Sequence, residues 1–472
     1  MMAVYAVVLS FLALMRYYTF RTYIDLGIFD QAFSSTLKGR FFYETPDLVN
    51  IPSGIFLGTH FAPIVLLLLP IYAVHPSPET LLILQTPFIA LGALPVFLIA
   101  RHLLRNANLS LGLAALYLVN PGVQSLNLFD FHVEAFLPFF IGMAYYCFLT
   151  RKWRAYLLFL GLSLITIEFA SILAAAMSIV MLISDRERLG ALFSIPRKLL
   201  VQECRPLLFA ICTILLASAD FYLSIVISGI IAGAGASPQR VLSGFFPDLQ
   251  QWIDAGFVSK MIYWVILLGT LLFMPLKAAT RALMAAPWLF VTLVATNGAY
   301  YAIGYQYSGA FVAPYLIIAL VHAIDQPDPV MKTRSFITTR FPAMLFLCIT
   351  LSPMAPWAQY HVPGIVYEEG LPIFNSHDSV IYEAMSLIPS NASVLTQNEL
   401  FSHFTNRPNA YLYLPNNNTK VDYIFGDNTS RWYASHVFGQ ESISQSVSNA
   451  MSANTYTVLK DQDGVILLKR NA

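Results

Sequence analysis

Charge is in short supply in this 472-residue chain. Asp, Glu, Lys and Arg make up 11% of it, while 57% is apolar. Soluble globular chains carry roughly 25% charge, so the shortage excludes an ordinary soluble domain. The net charge is +1, with no basic tract, so there is no electrostatic footprint for nucleic acid and none is expected as a partner. Cysteine is scarce. The four present (Cys147, Cys204, Cys212 and Cys348) lie in or beside apolar runs, and no pair has metal-ligand spacing. Neither a zinc site nor a disulfide framework is expected. P-loop, GxGxxG, HExxH and nucleophile-elbow motifs are missing, which excludes a built-in ATPase and the common soluble-enzyme chemistries. The alternating segments of about ten residues that mark a transmembrane barrel are missing too.

What fills the chain instead is long uncharged runs. Residues 80–100 reach the roughly 20 residues needed to cross hydrocarbon, so the chain reads as an α-helical polytopic membrane protein. About eleven spans are expected, near 1–18, 80–100, 108–124, 134–150, 155–167, 170–184, 206–230, 260–276, 282–297, 309–324 and 341–357. The first fifteen residues lack a basic flank and a small-residue cleavage site, and read as a retained first span. Five basic clusters orient the rest: Arg101 and Arg105; Arg151, Lys152 and Arg154; Arg186 to Arg205; Lys277 and Arg281; Lys332 to Arg340. If these face the cytoplasm, the N-terminus is cytoplasmic in a multi-pass cell-membrane protein. The loops carrying residues 21–59, Asp130, Arg240 and Tyr305 then lie outside.

Parity has two consequences. Segment 60–74 cannot cross, so it is expected as a re-entrant or juxtamembrane helix beside a cavity. Segment 155–183 must fold back as a hairpin with Glu168 near its tip. Beyond residue 358 the chain turns polar. Residues 359–472 are expected as a small extracytoplasmic α/β domain folding on its own, and residues 1–358 as the membrane domain. The C-terminal reading includes a helix at 380–388, short strands within 393–397, 410–414 and 421–425, and a hairpin turning at Asp463-Gly464.

Two polar islands stand at the mouths of spans, YIDLGIFDQ at 23–31 and NLFDFHVEA at 127–135. Ionisable groups are costly beside hydrocarbon, so such clusters are candidate functional sites. Asp25 suits a general base. Gly27 is expected to bend the chain before Asp30, which also suits a helix cap. Asp130 and His132 suit a divalent ion or a phosphate-linked sugar, while Glu134 suits a cap on the next helix. The candidate substrate contacts are Asp30, Gln31, His60, Asp130, His132, Glu168, Arg240, Tyr305 and Gln306. Arg240 is the candidate phosphate contact. Asp220 lies mid-span with no partner evident in the sequence.

The ordered landmarks DLGIFDQ (25–31), GTHFAP (58–63), NLFDFHVEA (127–135), YQYSGAFVAP (305–314) and SVLTQNELFSHFTNRP (393–408) resemble a family of archaeal and bacterial membrane proteins of unknown function. That family is generally placed with the GT-C glycosyltransferases. The resemblance implies a GT-C-like fold and an inverting enzyme that moves a sugar from a polyprenyl-phosphate donor to an acceptor on the outer face. Asp25 matches the first acidic position, as base or acceptor-orienting group, and Asp130 the second. Members often carry Lys-Glu-Asp where this chain has Ile167-Glu168-Phe169, so only the central acid is kept. No cofactor is implied, although the acids are compatible with a divalent metal. The implied partners are the polyprenyl-phosphate sugar donor, membrane lipid and an unspecified acceptor. A transporter or lipid-headgroup-binding protein without catalysis is the alternative; inverted repeats would favour a transporter, and none are visible.

Overall fold

A computed structural model describes residues 1–184, 197–233, 256–326, 339–355, 372–407, 409–416, 419–436 and 439–471, with backbone alone for 197–204. Helices dominate, as apolar runs in hydrocarbon require, because a helix satisfies every backbone polar group within itself. Among the described residues three helices are long and apolar enough to cross a membrane: Pro78–Leu104, Arg205–Ala232 and Tyr307–Asp325, of 27, 28 and 19 residues. Two bent pairs raise the number to five if each is one span. These are Ala107–Val119 with Pro121–Leu128, bent by 48°, and Phe257–Gly269 with Met274–Val294, bent by 83°. Shorter apolar helices are Met2–Tyr18, Val133–Leu149, Trp153–Leu164, Phe169–Ser184 and Phe341–Thr350.

Each of the eleven expected spans therefore falls on a helix, but the candidate spans number three to five. Length makes the difference: a 13-residue helix rises about 20 Å, short of the roughly 30 Å of hydrocarbon.

The elements that build the site come early. They are α1 (Met2–Tyr18), α2 (Ile24–Leu37), α3 (Ile64–Tyr72), α4 (Pro78–Leu91), α5 (Ala93–Leu104), α6 (Ala107–Val119), α7 (Pro121–Leu128), α8 (Leu137–Leu149), α9 (Trp153–Leu164), α10 (Phe169–Ser184) and α11 (Arg197–Ala232). The bend between α6 and α7 has a local cause. Asn120 accepts the N–H of Gly122 at 3.0 Å, and Pro121, with no N–H to give, opens the new helix. In segment 60–74 only α3 is helical. It buries Ile64, Val65, Leu68 and Tyr72 and exposes Leu66, Leu67 and Ile71. Nine residues rise about 14 Å, too little to cross, and the uncovered apolar face suits a helix lying against hydrocarbon. Segment 155–183 breaks into α9 and α10 with Glu168 at the turn, as expected.

The C-terminal region holds a five-stranded mixed sheet, in the order β2-β1-β3-β5-β4. Its strands are β1 (Val394–Leu395), β2 (Ala410–Tyr411), β3 (Tyr423–Asp427), β4 (Tyr456–Gln462) and β5 (Val465–Arg470). β1 runs parallel to both neighbours, and the other pairings are antiparallel. The hairpin turns at Asp463 and Gly464, both with positive φ, the conformation tight two-residue hairpins demand. A helix lies against each face, Ser376–Ser386 on one and Ile443–Ser452 on the other, and each opens on a capping box. Phe20, from the turn after α1, is buried in this domain's core with Ile381, Phe401, Phe404 and Phe425. Membrane part and sheet domain thus share apolar packing.

Candidate functional site

The site begins with the start of α2. Tyr23 is extended and opens the helix without a cap of its own. Its missing acceptor comes from 107 residues away: both carboxylate oxygens of Asp130 accept the Tyr23 N–H, and one also accepts the Leu26 N–H, all at 3.0 Å. A buried acid at a helix N-terminus satisfies orphan donors and meets the positive end of the dipole. Gln85 on α4 fixes the loop that carries Asp130. Its amide donates to the carbonyls of Asp130 (2.7 Å) and Asn127 (3.3 Å) and accepts the His132 N–H at 3.1 Å. Asp130, expected to touch substrate, is fully buried and engaged with backbone, so here it is a positioning residue. Burial, with Asp25 adding to it, pushes its carboxyl well above the ordinary range.

What it positions is Asp25, in the first turn of α2. This carboxylate is enclosed by protein yet keeps 35% of its side-chain surface accessible. Burial, helped by the charge of Asp47 and opposed by His60, raises its pKa to about 6. His132 Nε2 stands 3.9 Å from Asp25 Oδ2, beyond a hydrogen bond, and its Nδ1 is buried without a partner. Burial lowers the His132 pKa to about 3, so the ring is neutral at physiological pH.

His60 is the opposite case. Burial works against its charge, but Glu168 outweighs that and holds the pKa up at about 9. Its Nδ1 lies 2.9 Å from Glu168 Oε1, while Glu168 Oε2 accepts the Phe61 N–H at 3.1 Å. Half of the His60 side chain remains accessible. Asp47 accepts the Thr59 hydroxyl at 2.8 Å and acts on both Asp25 and His60 through its charge. Glu134 is buried in the first turn of the 3-10 segment Val133–Phe136, inside the turn rather than at its cap. An acidic cleft, open at Asp25 and His60, thus gathers Asp25, Asp47, Glu134 and Glu168 around a cationic imidazole, from α2, the first loop, the 3-10 segment before α8 and the α9–α10 turn. Among the described residues no three His, Cys, Asp or Glu side chains are arranged to hold a metal ion.

Aromatic rings and an arginine border the cleft. Tyr305 lies 4.9 Å from Phe129 and 6.3 Å from Tyr23, between ring centroids. Gln306 is buried with its Oε1 unpartnered. A close crossing holds this segment: a Cβ on Gly309 would meet the Gly122 carbonyl oxygen at 2.4 Å, so the small residue lets the chain press onto α7. From the sheet domain, Arg431 Nη2 donates to the Tyr23 hydroxyl at 2.9 Å. Its guanidinium also sits over the Trp432 ring, which meets Tyr23 edge-on at 5.6 Å. Arg240 lies outside the described residues.

Asp30 and Gln31 point elsewhere. Asp30 accepts the Tyr72 hydroxyl at 2.6 Å and the Thr405 hydroxyl at 2.5 Å; burial lifts its pKa to about 6 even though these bonds oppose the rise. Gln31 accepts the Thr45 N–H at 2.8 Å and donates to the Ala410 carbonyl at 3.3 Å. Both side chains tie α2 to α3, the first loop and the sheet domain. Gly27 does not bend the chain, since α2 runs through it unbroken. A Cβ there would stand 2.4 Å from the Phe401 ring, so the glycine admits the sheet domain. Asp220, without a partner in the sequence reading, accepts the Ser171 hydroxyl at 2.5 Å across α10 and α11.

Sequence reasoning missed Gln85, Asp47, Arg431 and Trp432. Gln85 carried a usable signal, a polar residue in an apolar run. The other three become site residues only through contacts the sequence does not announce.

A helical membrane body, a mixed α/β domain docked on its first loop and an acidic cleft beside that loop define the class: a polytopic membrane protein with an appended sheet domain. The chain belongs to the family described as predicted membrane protein (DUF2079), which matches residues 16–467. No curated protein matches it.

Proposed function

We propose that the chain is a GT-C-type glycosyltransferase that moves a sugar from a polyprenyl-phosphate donor to an acceptor hydroxyl on the outer face of the membrane. The observation that carries this reading is Asp25, an accessible carboxyl with a pKa of about 6 on a helix beside the spans. A general base works best with a pKa near the operating pH. Asp25 takes the proton of the acceptor hydroxyl, whose oxygen bonds to the anomeric carbon. The bond from that carbon to the phosphate oxygen breaks, its electron pair leaves with polyprenyl phosphate, and the configuration inverts. Arg431 takes the leaving phosphate, the part assigned to Arg240 from sequence. Tyr305 and Trp432 offer ring faces to the sugar, with Tyr23 packed behind them, and the uncovered face of α3 offers a bed for the lipid chain. The family resemblance supports the same reaction class.

The test is transfer from a labelled polyprenyl-phosphate sugar by the full chain in lipid vesicles. Asp25→Asn keeps the shape and removes the base, and should cut turnover by about 10²-fold or more with donor binding kept. Undiminished transfer by that variant would remove Asp25 from its role. Donor binding with no transfer by the unaltered protein would instead favour the lipid-binding alternative.

A further inference from the structure

A second site lies at the far ends of the helices that frame the first. α8 starts just after His132 and Glu134, and α10 starts beside Glu168. Their other ends, 13 and 16 residues on, lie about 20–24 Å away at 1.5 Å per residue. There a cavity of about 230 Å³ opens, lined by Tyr145, Phe148, Arg151, Ser184, Pro206 and Arg281 among others.

Its charge is one-sided. Among the described residues two of its lining residues are arginines and none is an acid. Among the described residues neither Arg151 nor Arg281 pairs with a carboxylate. The Nε of Arg281 is shut off from solvent with no hydrogen-bond partner. The Tyr145 hydroxyl lies 2.9 Å from His322 Nε2, which leaves the floor polar while Phe148, Leu149 and Met181 supply apolar walls. Two guanidinium groups facing one cavity without a counter-charge repel each other, and a buried N–H without a partner is costly. An oxyanion relieves both. Guanidinium forks match phosphate oxygens in geometry, and basic pockets between membrane helices are a known form of lipid-headgroup site.

We propose that this cavity binds a phosphate group, carried by an anionic phospholipid or free in solution, on the side of the membrane part opposite the acidic cleft. The apolar walls extend the fit to the glycerol and first methylenes of a lipid. The site is independent of the transfer reaction, so its test needs no substrate turnover.

Purify the full chain in neutral detergent. Measure binding of short-chain phosphatidylglycerol and phosphatidylcholine by native mass spectrometry, and the thermal shift with inorganic phosphate. The unaltered protein should retain phosphatidylglycerol over phosphatidylcholine, and Arg151→Gln with Arg281→Gln should weaken retention at least tenfold. Arg101→Gln, in another basic cluster, should not. Arg151 sits in an exposed turn, so Arg151→Gln alone, expected to lose at least threefold, serves if the double variant does not fold. A thermal shift with inorganic phosphate that Arg151→Gln abolishes, without lipid preference, supports the site and identifies free phosphate as the source. Equal binding of both probes by the unaltered and substituted proteins overturns the proposal.

Discussion

Asp25 owes its proposed chemistry to its neighbours, and the neighbours can be changed. The carboxyl must be ionised to accept a proton, so transfer should rise with pH through about 6 and level off above it. Asp47 contributes to that value by like-charge repulsion. In Asp47→Asn the rising limb should move to lower pH, with Thr59 still able to donate to the new amide oxygen. A pH profile of turnover reads this directly, and an unmoved limb would break the link between the two acids. Gly27 is the other residue whose identity has a single physical reason. Gly27→Ala drives a Cβ into the Phe401 ring, and overpacking of this kind costs about 1–3 kcal/mol. Thermal unfolding should show that loss, and Phe401→Leu in the same chain should recover part of it.

Among the elements, the helix Ser376–Ser386 is latched to the rest of the sheet domain by His377. Its Nδ1 lies 2.9 Å from Asp463 at the hairpin tip, and its Nε2 lies 2.9 Å from Asp427 at the end of β3. Burial works against its charge, yet the two carboxylates hold its pKa above the ordinary 6.5. The latch therefore stabilises fully below that ordinary value and is lost as pH rises through the raised folded value. Amide protection factors across 376–386 and 456–470, corrected for the intrinsic base-catalysed rate, should fall over that upward range, and His377→Gln should flatten the dependence. A flat response in the unaltered protein would dismiss the latch. The elements themselves were largely legible in the sequence. Apolar runs located the described apolar helices, though not how many of them are long enough to span, Glu168 marked the α9–α10 turn, and Asp463-Gly464 marked the hairpin. What lay beyond sequence is which bonds cross between elements. Asp30 reads as a cap or a ligand by its position alone, and only the arrival of Thr405 and Tyr72 shows it to be a tie. Helix length was misjudged for the same reason, since hydropathy reports apolar character but not where a helix stops.

For the whole molecule, the extent of docking decides how the two parts move. Thr22 and Ser402 hydroxyls lie 3.3 Å apart, Ser34 donates to the Thr405 carbonyl at 3.1 Å and Tyr413 donates to the Pro46 carbonyl at 2.6 Å. A hinge-free working state is expected. Thr22→Cys with Ser402→Cys should cross-link under mild oxidation, and transfer should survive the bond; loss on oxidation, restored by reductant, would show that the domains must part. These contacts also set an order of events in the life of the chain. Residues 22–46 leave the ribosome well before their partners at 402–413. Such distant pairings form late. A polypeptide that stalls before residue 400 carries Asp25 but leaves the groove over Gly27 vacant and Arg431 unmade. The cleft is therefore complete only once the chain through Arg431 and Trp432 has emerged and folded back onto the start of α2.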